Sequence, residues 1–182
     1  AVESPTATFQ LDDFSMPNIV SAAIFGDGAA CCLLSSYKDD YGPEILDEEM
    51  YHFYDAEHMM GFKLTNSGLQ MVLDIEVPDT IASHFGDIIH PFLKKNNLEI
   101  GAVDYMIFHP GGKKIVTTVE SLFGGLEKNI DDTKEILKQY GNMSSATILY
   151  VLERFLESNP APGEKGLMLS FGPGFSAQRI LL

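Results

Sequence analysis

Basic side chains are scarce in this sequence. Twelve lysines and arginines stand against 26 aspartates and glutamates, a formal net charge of −14. That deficit argues against nucleic acid or an anionic membrane surface as a partner, because both attract cations. Cysteine is almost absent too: Cys31 and Cys32 are the two present, and they are adjacent. Neighbours on a strand point to opposite faces, which argues against a disulfide between them. They read as small core residues of a reducing compartment. No apolar run reaches the roughly 20 residues of a membrane-spanning helix. The opening Ala1-Val2-Glu3-Ser4-Pro5 lacks the basic start of a signal peptide. Together these absences predict a cytoplasmic chain, and the missing initial methionine suggests a piece of something longer.

What is present is ordinary globular material. Hydrophobic residues make up 45% and charged residues 21% of 182 residues, enough for one domain that buries roughly 70% of its extended surface. Residues 1–18, with two prolines, read as an extended arm or loop. Residues 19–34 are small and apolar around Phe25-Gly26-Asp27-Gly28-Ala29-Ala30, and predict a buried strand broken by a bulge or turn. Residues 37–58 are acidic and rich in turn formers. Strands are expected near 60–64 and 69–74.

Pro78 and Asp79 mark a helix start. Ile81, Phe85, Ile88, Ile89, Phe92 and Leu93 follow on one face at helical spacing. A strand over 104–108, a helix over 113–123, a short helix from Asp131 to a stop at Gly141, and a helix from Ser144 or Ser145 come next. Residues 166–171 and 175–182 form a hairpin around Gly172-Pro173-Gly174. The alternation predicts an α/β fold with a mixed, buried sheet.

Within that order, Tyr105-Met106-Ile107-Phe108 runs straight into His109-Pro110-Gly111-Gly112. An imidazole at the carboxyl end of a central strand stands where α/β proteins place ligands. Pro110 holds His109 extended, and two glycines let a ligand approach the backbone. The plain alternative is a turn that ends a strand, with a histidine of no special role.

Four stretches in order decide between the two readings: Phe25-Gly-Asp-Gly-Ala-Ala30, His109-Pro-Gly-Gly112, Gly141-Asn-Met-Ser-Ser-Ala146 and Phe171-Gly-Pro-Gly174. Together they resemble the type III polyketide synthases, the chalcone and stilbene synthase-like enzymes of the thiolase fold. The resemblance covers nearly everything from Ile19 onward. It implies the carboxyl-terminal half of a thiolase-like fold, with a mixed β-sheet covered by helices. Residues 1–36 would be the last strand segment of the amino-terminal half, and residues 37–182 the carboxyl-terminal domain.

The resemblance also implies chemistry. His109 and Asn142 match the family's catalytic histidine and asparagine. The reaction implied is decarboxylative Claisen condensation of malonyl-CoA with an acyl-CoA starter. Coenzyme A thioesters serve as substrates, with no cofactor and no metal. An imidazole N–H and a carboxamide N–H would stabilise the enolate oxygen, and His109 would hold a cysteine thiolate ionised. For Asn142 the plain reading is a helix cap, which is compatible with catalysis. Phe25 matches an aromatic gate between the coenzyme A tunnel and the cavity. Ser144, Phe171 and Pro173 match positions that shape the cavity, and Asp27 one with a structural role. Gly111, Gly112 and Lys114 are candidates for contact with coenzyme A, against the plain reading of Lys113 and Lys114 as a solvated helix start.

Departures from the family pattern concern both nucleophile and pocket. Neither Cys31 nor Cys32 stands where the family carries its cysteine, so an amino-terminal half is the implied partner, within a homodimer. Met71 replaces the second gatekeeper phenylalanine, Phe62 aligns with a cavity glycine of the plant enzymes, and Ser170 replaces a glycine before Phe171. Two other functions remain open at this level: a ketoacyl-ACP synthase III-like condensing enzyme, and a thiolase-fold interaction module without catalysis.

Overall fold

The computed structural model describes residues 1–37, 41–123 and 130–182. From the amino terminus the elements are β1 (Val2–Glu3), α1 (Met16–Ile24), β2 (Gly28–Ala29), β3 (Asp47–His52), β4 (Met60–Thr65), β5 (Gly68–Leu73) and α2 (Val77–Lys95). They continue with β6 (Tyr105–Phe108), α3 (Lys113–Phe123), α4 (Asp131–Tyr140), α5 (Thr147–Glu157), β7 (Gly166–Gly172) and β8 (Ser176–Leu181).

Alternation along β6 and β7 organises the core. Met106, Phe108, Leu167 and Leu169 enter one apolar cluster, with Ile81, Phe85 and Phe92 of α2 and Val116 and Val119 of α3. The residues between them, Ile107 and Met168, enter a second cluster with Ile136 of α4 and Val151 and Phe155 of α5. A strand that is apolar on both sides needs helices on both faces, and the four-stranded sheet has them. Its order is β3-β8-β7-β6, with β6 parallel to β7 and the other pairs antiparallel. The predicted mixed, buried sheet is found. The β7–β8 hairpin is also as expected, closed by Gly174 at φ 76° and Phe175 at φ 47°. Phe175 holds this left-handed conformation while stacked on Phe53, centroids 4.1 Å apart.

Four expectations are corrected. The first part of the apolar run over 19–34 belongs to a helix, Met16–Ile24, that begins in the expected arm, and only Gly28–Ala29 beyond the turn are strand. The reason lies in signals of helix onset: Pro17 in the first turn after Ser15, then Ser21-Ala22-Ala23, whose small side chains suit a helix. Beyond β2 the chain is irregular and exposed, so Cys31 and Cys32 are surface residues and not core. The supposed arm is itself structured, with β1 paired to β2 and a 3₁₀ turn over Pro5–Thr8. The acidic stretch hid a strand as well. β3 pairs with β8 from Asp47↔Leu181 to His52↔Ser176, and as a charged edge strand it suits its place.

Arg179 of β8 is buried, at 3% exposure. Its guanidinium donates to the Ile88 carbonyl at 2.5 Å and to the Glu49 carbonyl at 3.3 Å, and lies 5.1 Å from the Phe92 ring centroid. One side chain thus ties the edge strand and α2 to β8. Arg179→Met should lower stability by about 2–3 kcal/mol, because two carbonyls lose a charged donor and a cation–π contact goes. Urea denaturation of the chain reads this directly.

Candidate active site

Strand β6 delivers His109. Its backbone N–H still donates to the Leu169 carbonyl at 2.9 Å, so the ladder holds the residue up to the moment the chain turns. The Gly111 N–H closes that turn on the His109 carbonyl at 2.9 Å. Burial of the ring pushes its pKa down to about 4. The imidazole is therefore neutral at pH 7, with one N–H to donate.

Asn142 comes from the far end of α4. Gly141 ends that helix at φ 73° and ψ −164°, a conformation open only to glycine. The chain then lies along the turn after α1. The Asn142 N–H donates to the Ile24 carbonyl at 2.8 Å, and the Gly26 N–H to the Asn142 carbonyl at 3.0 Å, forming a parallel bridge between Phe25 and Asn142. A β-carbon on Gly26 would lie 2.6 Å from the Tyr140 carbonyl oxygen. Close backbone approach thus explains the glycines of two of the motifs.

The Asn142 side chain is 3% exposed, and its orientation is set from both ends. Oδ1 accepts from the Ser144 N–H at 2.8 Å, and Nδ2 donates to the Gly111 carbonyl at 3.0 Å. It does cap the turn that follows, as the plain reading held, and one amide hydrogen is left over. Both side chains border Gly111. Nε2 of His109 lies 4.0 Å from the point a β-carbon on Gly111 would occupy, while Gly111 takes the asparagine hydrogen bond. Ser144 is held at φ 53° beside them.

The remaining candidates separate into groups. Phe25 and Met71 both line a cavity of about 270 Å³ with Thr6, Phe9, Asn18 and Ser21. Within it the Ser21 hydroxyl donates to the Met71 sulfur at 2.8 Å. Phe62 stands directly across the β4–β5 hairpin from Met71 but is not in the cavity lining, and it is 48% exposed. Phe171 is in the core, with ring centroids 6.1 Å from Phe108 and 6.4 Å from Phe53. Ser170 pairs with Gln178 in the hairpin, and Pro173 is exposed at its tip. Gly112 is buried and opens α3. Lys114, on its first turn, lies 3.9 Å from Asp79, both exposed. Asp27 accepts from the Thr6 N–H at 3.0 Å and hydroxyl at 2.6 Å, which lowers its pKa. Ser21, Asn18 and Thr6 were not singled out in the sequence. No motif marks them, and α1, for Asn18 and Ser21, and the 3₁₀ turn, for Thr6, bring them to β5 only in the folded chain.

Among the described residues, no group of three or more His, Cys, Asp or Glu side chains could hold a metal ion. No described helix is long and apolar enough to cross a membrane.

Comparison with known proteins places the chain in a family. Residues 49–182 match the family described as chalcone and stilbene synthases, C-terminal domain. The chain is 34% identical to a 1,3,6,8-tetrahydroxynaphthalene synthase of Streptomyces peucetius, with 100% of this chain and 49% of that protein covered. It is 31% identical to a putative chalcone synthase of Bacillus subtilis, covering 100% of this chain and 52% of the relative. In three dimensions it superposes on the C-terminal type III polyketide synthase domain of Steely1, a type I/III hybrid from Dictyostelium. There the TM-score is 0.83 at 26% identity, over 100% of this chain and 52% of that one. The chain thus spans about half the length of the relatives it matches. Its architecture is thiolase-like, and the chain belongs to the chalcone and stilbene synthases, the type III polyketide synthases, as a carboxyl-terminal portion of one.

Proposed function

We propose that this chain supplies the enolate-stabilising half of a condensing site that joins malonyl-CoA to an acyl-CoA starter. The observation that supports the reading is that a neutral imidazole and an oriented carboxamide both border Gly111. Loss of carbon dioxide breaks the bond between the malonyl methylene and its carboxylate. The electron pair passes to the thioester oxygen, where two neutral donors stabilise it. The enolate carbon then attacks an acyl thioester on a cysteine, and the thiolate departs. That cysteine belongs to an amino-terminal half, to which residues 1–36 also belong.

Phe25 and Met71, which line one cavity, form the passage for the substrate chain in this reading. Gly111 offers its backbone to the pantetheine arm in this reading, with Gly112 buried behind it at the start of α3. The exposed Lys114 can exchange Asp79 for a coenzyme A phosphate, since an ion pair in open solvent is weak. The complete enzyme is a cytoplasmic homodimer in this reading. Exposed side chains such as Leu33 and Leu34, at 94% and 72%, support a covering partner.

The test is to incubate the 182-residue chain with acyl-CoA and malonyl-CoA, alone and with the cysteine-bearing half, and to analyse products by mass spectrometry. The chain alone should give no condensation product, and the combination should. Condensation by the chain alone would refute the division of labour. A combined complex without turnover would favour an interaction module.

A further inference from the structure

Helix α4 does more than link the two candidate catalytic stretches in sequence. We propose that it is the strut that sets their spacing, with Thr133 as a positioning residue for the His109 imidazole; this rests on the reading of His109 and Asn142 just given. Thr133 is completely buried, at 0% exposure, and its hydroxyl donates to the Phe108 carbonyl at 2.9 Å. Phe108 immediately precedes His109. Because the His109 N–H points across the ladder to Leu169, the carbonyl before it points to the opposite edge of β6. Among the described residues β6 pairs with β7 alone, so that carbonyl has no ladder partner and a buried one needs another. Thr133 supplies it.

The other end of the helix is fixed as firmly. The Gly141 N–H closes the last turn on Leu137 at 3.0 Å, and Asn142 follows at once, pinned to Ile24 and Gly26. Between the ends, Ile136 shares one buried cluster with Ile107 of β6 and Met143. The helix is therefore anchored to the residue before the histidine and to the residue before the asparagine. A rigid helix holds those anchors at a constant separation. Threonine in a first turn ordinarily bonds within its own helix. Here its hydroxyl is spent on another element, which is what a helix cap would not explain.

The experiment compares Thr133→Val, which keeps the shape and removes the donor, with Thr133→Ser, which keeps the donor. Both are made in the complete protein, and malonyl-CoA decarboxylation is followed. Ile81→Val, a packing change in α2 away from both stretches, serves as the control for lost stability. Thr133→Val should lower kcat about tenfold or more with KM within about twofold, because small displacements of reacting groups are costly. Thr133→Ser should recover to within about threefold of the unaltered protein. Should the valine variant not fold, Thr133→Ala takes its place against the same serine variant.

A valine or alanine variant that loses melting temperature like Ile81→Val but keeps kcat overturns the inference. The catalytic reading has its own control, His109→Gln. If that change leaves decarboxylation intact, the reading fails. The ring resonances of His109 in histidine-labelled protein then decide the strut alone. Displaced resonances in Thr133→Val and native ones in Thr133→Ser uphold it, and native resonances in both overturn it.

Discussion

Asn142→Ala in the complete protein should lower malonyl-CoA decarboxylation by about 10²–10³-fold, the usual cost of losing one preorganised donor to a developing oxyanion, about 3–4 kcal/mol. The expectation follows from how the carboxamide is held. Its oxygen is occupied by the Ser144 N–H and one of its hydrogens by the Gly111 carbonyl, so the remaining hydrogen has a defined direction. Alanine also frees Ser144 from its left-handed conformation, so the effect must be separated from local rearrangement. Asn142→Asp does this. The carboxylate can still accept from Ser144 but offers an anionic oxygen where Nδ2 donated. It should fail at least as badly, while starter acylation of the cysteine, which needs no enolate, should persist in both variants. Decarboxylation within tenfold of normal in either variant would remove Asn142 from the chemistry.

Gly141→Ala should be nearly as damaging, and through the backbone. At φ 73° and ψ −164° an L side chain is strained, and a β-carbon there would stand 2.6 Å from the Ile24 carbonyl oxygen. That oxygen is the acceptor for the Asn142 N–H. The methyl group therefore pushes apart the two segments whose contact places the carboxamide. We expect a loss of about 3 kcal/mol in urea denaturation and a fall in decarboxylation of about 10²-fold. Gly86→Ala is the matched comparison. It lies inside α2, and the nearest atom to its added carbon, Nδ1 of His90, is 3.8 Å away. There alanine should be neutral or stabilising by up to about 1 kcal/mol. Equal behaviour of the two variants would show that the bridge between Phe25 and Asn142 carries no special weight.

Legibility in the sequence followed the strength of local signals. Helix α3 runs from Lys113 to Phe123, as read, because its apolar spacing is clean and glycines precede it. The β7–β8 hairpin was visible from two apolar runs around a Gly-Pro-Gly turn. Residues 19–34 were misread because a short apolar run of small side chains suits a strand or a helix equally. The decisive marks, Ser15 and Pro17, were assigned to an arm. β3 escaped because Asp47-Glu48-Glu49 carries the composition of a loop, while its strand character comes from pairing with β8. At the site, the motifs pointed to His109 and Asn142. What they could not convey is the means of convergence, since Gly111 lies between a hydrogen bond and a ring only after folding. Phe62 shows the converse limit: a cross-strand partner of Met71 need not line the cavity that Met71 lines.

The bridge at Phe25 has a consequence in time. The residues it joins are 117 positions apart (142 − 25), and nearby Glu3 bonds to Ser145 across 142 residues. Closing so long a loop costs entropy that local hairpins and helices do not, and contacts of this kind slow folding. The β4–β5 and β7–β8 hairpins and the α2 helix can form while residues 1–37 are still loose. The arrangement around Gly111 is therefore expected to form after those local elements, a hypothesis that hydrogen exchange at the Asn142 and Gly26 amides would test. Removal of residues 1–24 should therefore leave most of the circular dichroism intact while freeing the Asn142 N–H from the Ile24 carbonyl.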